Sequence, residues 1–399
     1  MSDKKSKEYK FPDTLEGFGY GFNDEGQLRH LETKEAFQFQ VREDDLDYNQ
    51  KHYEAMGEVI TDMVYSMMEK DCALRRITLP EDAEEDEPKT FFFMSNDTTS
   101  AKRLMLLIHG SGAVRAGQWA RKLIINDCLD SGTQLPFIKW AQEHGFGVIV
   151  ANPNLNRAKV ERTLIRGSSS PEEHLETLWS DYVANSKARD IVIVAHSFGG
   201  VCTLELARKY IKDFEKRVRA VALTDSVHSF THQKSSERVI KFYQQRGRNW
   251  ASAGPQDPLD TPLDSKMDFC PTVSAGTDRH DYTSFSSMKS IFKFIEEQIA
   301  ESMNSKDNEI NKSKSSSVDP VPKAEKDKAN QNVKKSDESN SPPDVSGETT
   351  VNVDSSNTQE MLSQTMSESE PMSQDTNSQG ASYDAEMDSQ GPNTPKSEL

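Results

Sequence analysis

The 399-residue sequence predicts an α/β fold, a mostly parallel sheet with helices on both faces, followed by a disordered acidic tail. Three observations carry this. First, Leu104 to Ile108, Gly147 to Ala151, Ile191 to Ala195, Val218 to Leu223 and Thr272 to Ala275 are short continuous apolar runs, as strands buried on both faces must be. Second, helix candidates at 116–128, 136–144, 172–187, 199–211, 235–246 and 284–300 alternate with those runs, which is the βαβ rhythm of a parallel sheet. Third, residues 301–399 hold one aromatic, Tyr383, and 19 apolar residues among 99, with 19 acidic against 9 basic side chains, a net −10 of the chain's −17. Such a segment cannot bury a core.

Taken in order, residues 1–50 form an N-terminal segment packed on the domain. Phe18, Tyr20 and Phe22 alternate across Gly19 and Gly21 before the polar turn Asn23 to Gly26, a hairpin pattern, and Ala36 to Val41 is strand-like. Residues 51–300 form the main domain. Its first helix, 52–70, carries Tyr53, Met56, Val59, Ile60, Met63, Val64 and Met67 on one apolar face. Leu74 to Leu79 and Thr90 to Met94 then read as a hairpin around the acidic loop Glu81 to Pro88. Ser170-Pro171-Glu172-Glu173 supplies a cap, a first-turn proline and early acids for the helix at 172. The connection 153–171 is long and polar, and is expected to be mobile and to cover or border a site.

Composition excludes several classes. No run approaches the roughly 18 apolar residues of a membrane helix, and the N-terminus lacks the apolar core of a secretory signal. Cys72, Cys128, Cys202 and Cys270 are far apart, without CxxC spacing, and read as free thiols of a reducing compartment; no metal site and no cofactor is expected. The acidic balance argues against direct nucleic-acid binding.

Chemistry concentrates at three places. Ala195-His196-Ser197-Phe198-Gly199-Gly200 sits where a strand run ends and a helix begins, the context of a nucleophile elbow. The turn demands small residues two before and two after the serine; Gly199 supplies one and Ala195 replaces the usual glycine at the other. His109-Gly110-Ser111-Gly112 follows the third strand, where an α/β-hydrolase places an oxyanion loop, so the N–H groups after Gly110, at Ser111, and of Phe198 are the expected donors. Asp225 ends one strand run and His280 follows the last, which gives the order Ser197, Asp225, His280: nucleophile, acid, base. Asp278 is the competing acid and His228 the competing base. The bland reading is that His109 and His196 only orient turns, that Asp225 and His280 merely tie two loops, and that Trp119 is a helix residue near the sheet edge.

The segments FPDTLEGF (11–18), LLIHGSGAVRAGQWARKLIIN (106–126), GVIVANPN (147–154), AHSFGG (195–200), VALTDSVH (221–228) and SAGTDRHDYTS (274–284) together resemble the Argonaute-binding protein 2 domain family, and within it the animal cotranscriptional-regulator branch. The resemblance spans nearly all of residues 11–300. It implies an α/β-hydrolase-like domain, Argonaute, chromatin or splicing proteins as partners, and a role in alternative splicing or RNA-linked silencing in nucleus and cytoplasm. It also marks Ser197 as the candidate nucleophile, with esterase-type acyl transfer as the alternative function. In the tail, Ser341-Pro342 and Thr394-Pro395 suit proline-directed phosphorylation, and the terminal Lys396-Ser397-Glu398-Leu399 resembles an ER-retrieval signal, which keeps the endoplasmic reticulum as an alternative location.

Overall fold

The computed structural model describes residues 9–159, 162–264 and 269–315, with side chains as far as Met303. The tail from 316 onward, including Ser341, Thr394 and Lys396 to Leu399, lies outside the described residues.

The chain opens with β1 (Tyr20–Phe22) and β2 (Leu28–His30), the expected antiparallel hairpin. Ala36 to Val41 is not a strand: Ala36 makes a single bridge to Arg29, and Phe37 is held by burial beside Tyr20. Helix α1 (Leu46–Lys70) starts a turn and a half earlier than its apolar face suggests, because Asp45 caps it by accepting from Tyr48 N at 3.1 Å. Then come β3 (Leu74–Leu79), β4 (Thr90–Ser95) and β5 (Arg103–Ile108). The helix expected at 116–128 is mostly absent. Residues 116–120 form a turn, and only the short α2 (Arg121–Asn126) and α3 (Leu129–Gly132) follow. Trp119 therefore precedes the helix, its backbone N–H donating to Gly132 O at 2.8 Å.

Beyond it lie α4 (Leu135–Glu143), β6 (Phe146–Val150) and α5 (Pro171–Thr177). Ser170 caps α5 as predicted, accepting from Glu173 N at 3.2 Å, but the helix widens to π geometry over Leu178–Val183 and ends before 187. The remaining elements are β7 (Asp190–His196), α6 (Phe198–Lys209), α7 (Ile211–Arg217), β8 (Val218–Thr224), α8 (Glu237–Arg246), β9 (Gly247–Ala251), β10 (Thr272–Ser274), α9 (Thr283–Ser286) and α10 (Met288–Ser315). Helix α10 continues past the expected end at 300.

The sheet order is β10-β9-β8-β7-β5-β6-β4-β3, parallel from β6 to β10, with β3 and β4 antiparallel at one edge. This is an α/β-hydrolase-like sheet. Alternation along the strands sends Met105, Leu107, Val192 and Val194 into a core with α1, α4 and α10, and sends Leu104, Leu106, Ile191 and Ile193 into a second core with α5, α6 and α8. Two buried faces explain the continuous apolar runs. The chain leaves β5 for β6 on one side and reaches β7 on the other, so the loops after β5 and β7 part at a topological switch point, where such sheets bind ligands beyond the carboxyl ends of their strands.

Candidate active site

The elbow is built by close approach of two backbones. Ser197 adopts φ 52° and ψ −119°, a conformation costing a non-glycine residue about 1–3 kcal/mol, which the surroundings must enforce. Ser197 N donates to Thr224 O at 3.0 Å, and Ser197 O accepts from Gly200 N at 3.0 Å. A Cβ on Gly199 would meet His109 O and Ile108 O at 2.9 Å, which confirms why the position after the turn must be small. One on Gly200 would fall 1.8 Å from Ser226 Oγ, and one on Gly110 would lie 3.0 Å from Ser197 Cβ. Ala195 is fully buried in the strand, where alanine is accommodated. Gly110 and Ser197 are thus neighbours, as the oxyanion-loop reading requires.

His280 Nδ1 donates to Asp225 Oδ2 at 2.7 Å, so Asp225, not Asp278, is the acid paired with this histidine. Asp225 is also strained, at φ 43°, and its second oxygen accepts from Ser252 N at 3.0 Å. Burial works to raise this carboxyl, but the hydrogen bonds from His280 and Ser252 outweigh it and hold Asp225 below the ordinary carboxylate value. The competing base, His228, instead meets Ser226 Oγ at 2.8 Å. No hydrogen bond joins Ser197 Oγ to His280 among the described residues, a looseness common in sites without substrate. The structure therefore brings Asp225 and His280 together and places Ser197 on a strand-to-helix turn, without a hydrogen bond between Ser197 and His280.

The N–H groups of Ser111 and Phe198 donate to no protein acceptor among the described residues, so both are available to a ligand oxygen. Around them two buried imidazoles are held neutral. Burial pushes His196 down to about 3, with His280 nearby adding to the effect, and its Nδ1–H donates to Thr224 O at 3.0 Å. Burial likewise lowers His109 to about 4, its Nδ1–H donating to Gly110 O at 2.8 Å. Both rings thus bond backbone carbonyls beside the strand ends they flank. Trp119 is buried against Phe137 and reaches His196, with ring centroids 6.4 Å apart.

Sequence reasoning missed three groups. Ser252 follows β9, a strand the apolar pattern does not reveal. Thr224 Oγ1 and Ser284 Oγ, 2.7 Å apart, tie β8, the strand that leads into Asp225, to α9. Asn154, in the connection expected to be mobile, has its Nδ2 at 2.9 Å from Gly110 O, 3.2 Å from Gly112 O and 3.3 Å from Val114 O. That connection is further fastened by Asn156 Nδ2 to Ser168 O at 2.9 Å and by Thr177 Oγ1 to Gly167 O at 2.8 Å. Among the described residues no group of three or more His, Cys, Asp or Glu is arranged to hold a metal ion, and no helix is long and apolar enough to cross a membrane.

The Arb2 domain model matches residues 11–255 of this sequence. The chain belongs to the Arb2 domain family. The matched region contains the turn at Ser197, the loop after β5 and Asp225, and stops before β10 and His280. Among the relatives of this Arb2 protein, the cotranscriptional regulator ARB2A of Mus musculus is 44% identical over 349 residues, covering 74% of this chain and 83% of that protein. The Homo sapiens ARB2A is 45% identical over 338 residues, covering 72% and 81%. The ARB2A homolog of Dictyostelium discoideum is 32% identical over 323 residues, covering 72% and 80%. Among solved structures, a histone deacetylase from Saccharomyces cerevisiae aligns at TM-score 0.42 and 14% identity over 62% of this chain and 98% of that one. An alpha-beta hydrolase from Vibrio vulnificus aligns at TM-score 0.36 and 12% identity over 59% and 86%. The strand order of the Arb2 chain itself, not these alignments, defines its fold.

Proposed function

We propose that the protein is a cotranscriptional regulator whose α/β-hydrolase-like domain is an adaptor for Argonaute and for chromatin or splicing proteins, acting in nucleus and cytoplasm. The observation that carries this reading is 41–45% identity to vertebrate proteins named as cotranscriptional regulators, across about three quarters of the chain. The acidic tail is assigned the role of a phosphorylation-regulated arm, and Lys396-Ser397-Glu398-Leu399 the role of a retrieval signal for any molecules that enter the endoplasmic reticulum. Affinity purification at endogenous expression tests it: recovery of Argonaute, splicing or chromatin proteins supports the adaptor, and recovery of none of them removes it.

The Asp225–His280 hydrogen bond and the unpaired N–H groups of Ser111 and Phe198 favour a second reading, acyl transfer by a serine hydrolase. Here Ser197 Oγ attacks an ester-type carbonyl, His280 takes its proton, Asp225 orients the imidazole and stabilises its charge, and the two N–H groups receive the developing oxyanion; the ester C–O bond then breaks, the alcohol leaves with the proton from His280, and water releases the acyl group as the acid and restores Ser197. A fluorophosphonate probe should label the folded protein at Ser197 and fail to label Ser197→Ala. The same Ser197→Ala protein keeps its partners if binding alone is the function.

A further inference from the structure

We propose that Asn154 is a positioning residue for the oxyanion site, its side-chain amide fixing the loop that follows β5 so that the Ser111 N–H stands ready for an acyl oxyanion on Ser197. The inference rests on the hydrolase reading and deepens it.

The loop has little else to hold it. Ser111, Gly112 and Ala113 are exposed, and Gly112 has φ +99° with open space where a Cβ would stand. Gly110 is buried against Ser197, but beyond it packing does not fix the peptide planes of Ser111 to Ala113. Asn154 Nδ2 instead lies within hydrogen-bonding distance of the carbonyls of Gly110, Gly112 and Val114, every second residue of the loop. The decisive acceptor is Gly110 O, which takes a bond from Asn154 at 2.9 Å and another from His109 Nδ1–H at 2.8 Å. A trans peptide is planar, with its C=O and the next residue's N–H pointing in opposite directions. Pinning Gly110 O from two donors therefore sets the direction of the Ser111 N–H, one of the two donors left unpaired.

The Asn154 arm of the clamp is itself anchored. Two residues earlier, Asn152 Oδ1 accepts from Ala116 N at 3.1 Å, and Asn152 N donates to His174 Nε2 at 3.0 Å. The segment after β6 thus grips the segment after β5 at both ends of the turn, and the donors are set before any ligand arrives. Preorganised donors of this kind act on the transition state more than on the bound ground state.

Asn154→Asp keeps the side chain's size but replaces the donating nitrogen with an oxygen that repels all three carbonyls. In the full-length protein, covalent labelling of Ser197 by a fluorophosphonate is measured over a range of probe concentrations. The maximal inactivation rate is expected to fall at least about tenfold, a fraction of the 10²–10³ lost when an oxyanion donor is removed outright, while the probe's half-saturating concentration stays near the wild-type value. A merely structural residue would shift both parameters together or lower the melting temperature in step with the rate. If Asn154→Asp does not fold, Asn154→Ala carries the same comparison. Wild-type rates in these variants overturn the proposal and leave the hydrolase reading standing; no labelling of the wild-type protein overturns both.

Discussion

At the amino ends of β7 and β8 the buried side chains include paired ions, whereas at the carboxyl ends of the same sheet three buried imidazoles are held neutral. Arg219, with its side chain 5% exposed, bonds Asp190 at 2.7 Å and Arg189 O at 2.8 Å. Arg217 pairs with Asp213 and reaches Val183 O at 3.1 Å, and Arg246 spans Val218 O at 2.6 Å and Glu215 O at 2.9 Å. At the other end His109, His174 and His196 are held uncharged by burial. The ionic end satisfies its charges internally and offers a ligand nothing. The neutral end keeps unpaired N–H groups and non-glycine residues at positive φ, at Ser197 and Asp225, and so stores strain where chemistry is expected.

Acid should break the neutral end first, with the largest effect. An unfolded imidazole titrates near 6.5, whereas His174 and His196 are lowered to about 3 and His109 to about 4. Between those limits the unfolded chain binds more protons, so stability is flat above about pH 7 and declines as pH falls through 6.5. By pH 5 the loss is about 2 kcal/mol for each histidine, roughly 6 kcal/mol together. Asp225, lowered as a carboxylate, loses its contribution only in more acid solution, below its ordinary value of 3.8. Urea denaturation at pH 7.5, 6 and 5 measures this, and His174→Gln should remove about a third of the slope. Equal stability at pH 7.5 and 5 would contradict the assignment of these rings as neutral.

Asp190→Ala attacks the ionic end by leaving the Arg219 charge buried and unpaired, at a cost of about 3 kcal/mol of unfolding free energy measured by urea denaturation at pH 7.5. The double change Asp190→Ala with Arg219→Met should recover most of that loss, since it removes the stranded charge; a double variant as unstable as the single one would show that packing, not charge, fails there. The smallest effect belongs to an ionic contact outside both ends. Arg166 bridges Asp82 and Glu87 at the surface, so Arg166→Ala should leave the denaturation midpoint unchanged within error, and a clear drop would give exposed pairs a weight the comparison denies them.

Much of the site was legible because its residues are constrained by their immediate neighbours. A serine forced into a strand-to-helix turn needs Gly199 beside it, and both facts are visible in six letters of sequence. β9 was not legible. Its residues, Gly-Arg-Asn-Trp-Ala, read as polar because Arg248 lays its stem and cation across Phe294 and Trp250, and because Asn249 is buried by bonding Ser226 N. Yet this strand fixes the acid: Asp225 N donates to Trp250 O at 2.8 Å, and Ser252, next along the chain, bonds its carboxylate. The helix expected at 116–128 failed for a related reason. Residues 116–120 carry helical spacing, but their backbone is engaged by Asn152 and Gly132, tertiary partners that local periodicity does not register.

The sequence alone determined the strands buried on both faces and the strand-to-helix turn at Ser197, and it marked Asp225 and His280 as strand-end candidates, because each depends on side-chain size and polarity within a few residues. Tertiary structure decided which carboxylate meets His280, which strand supports that carboxylate, and that a carboxamide in the connection after β6 grips the loop after β5. Those are meetings of backbone groups far apart in the chain, made by hydrogen bonds that any residue with the right carbonyl or amide can form, and so they leave no pattern in the order of the letters.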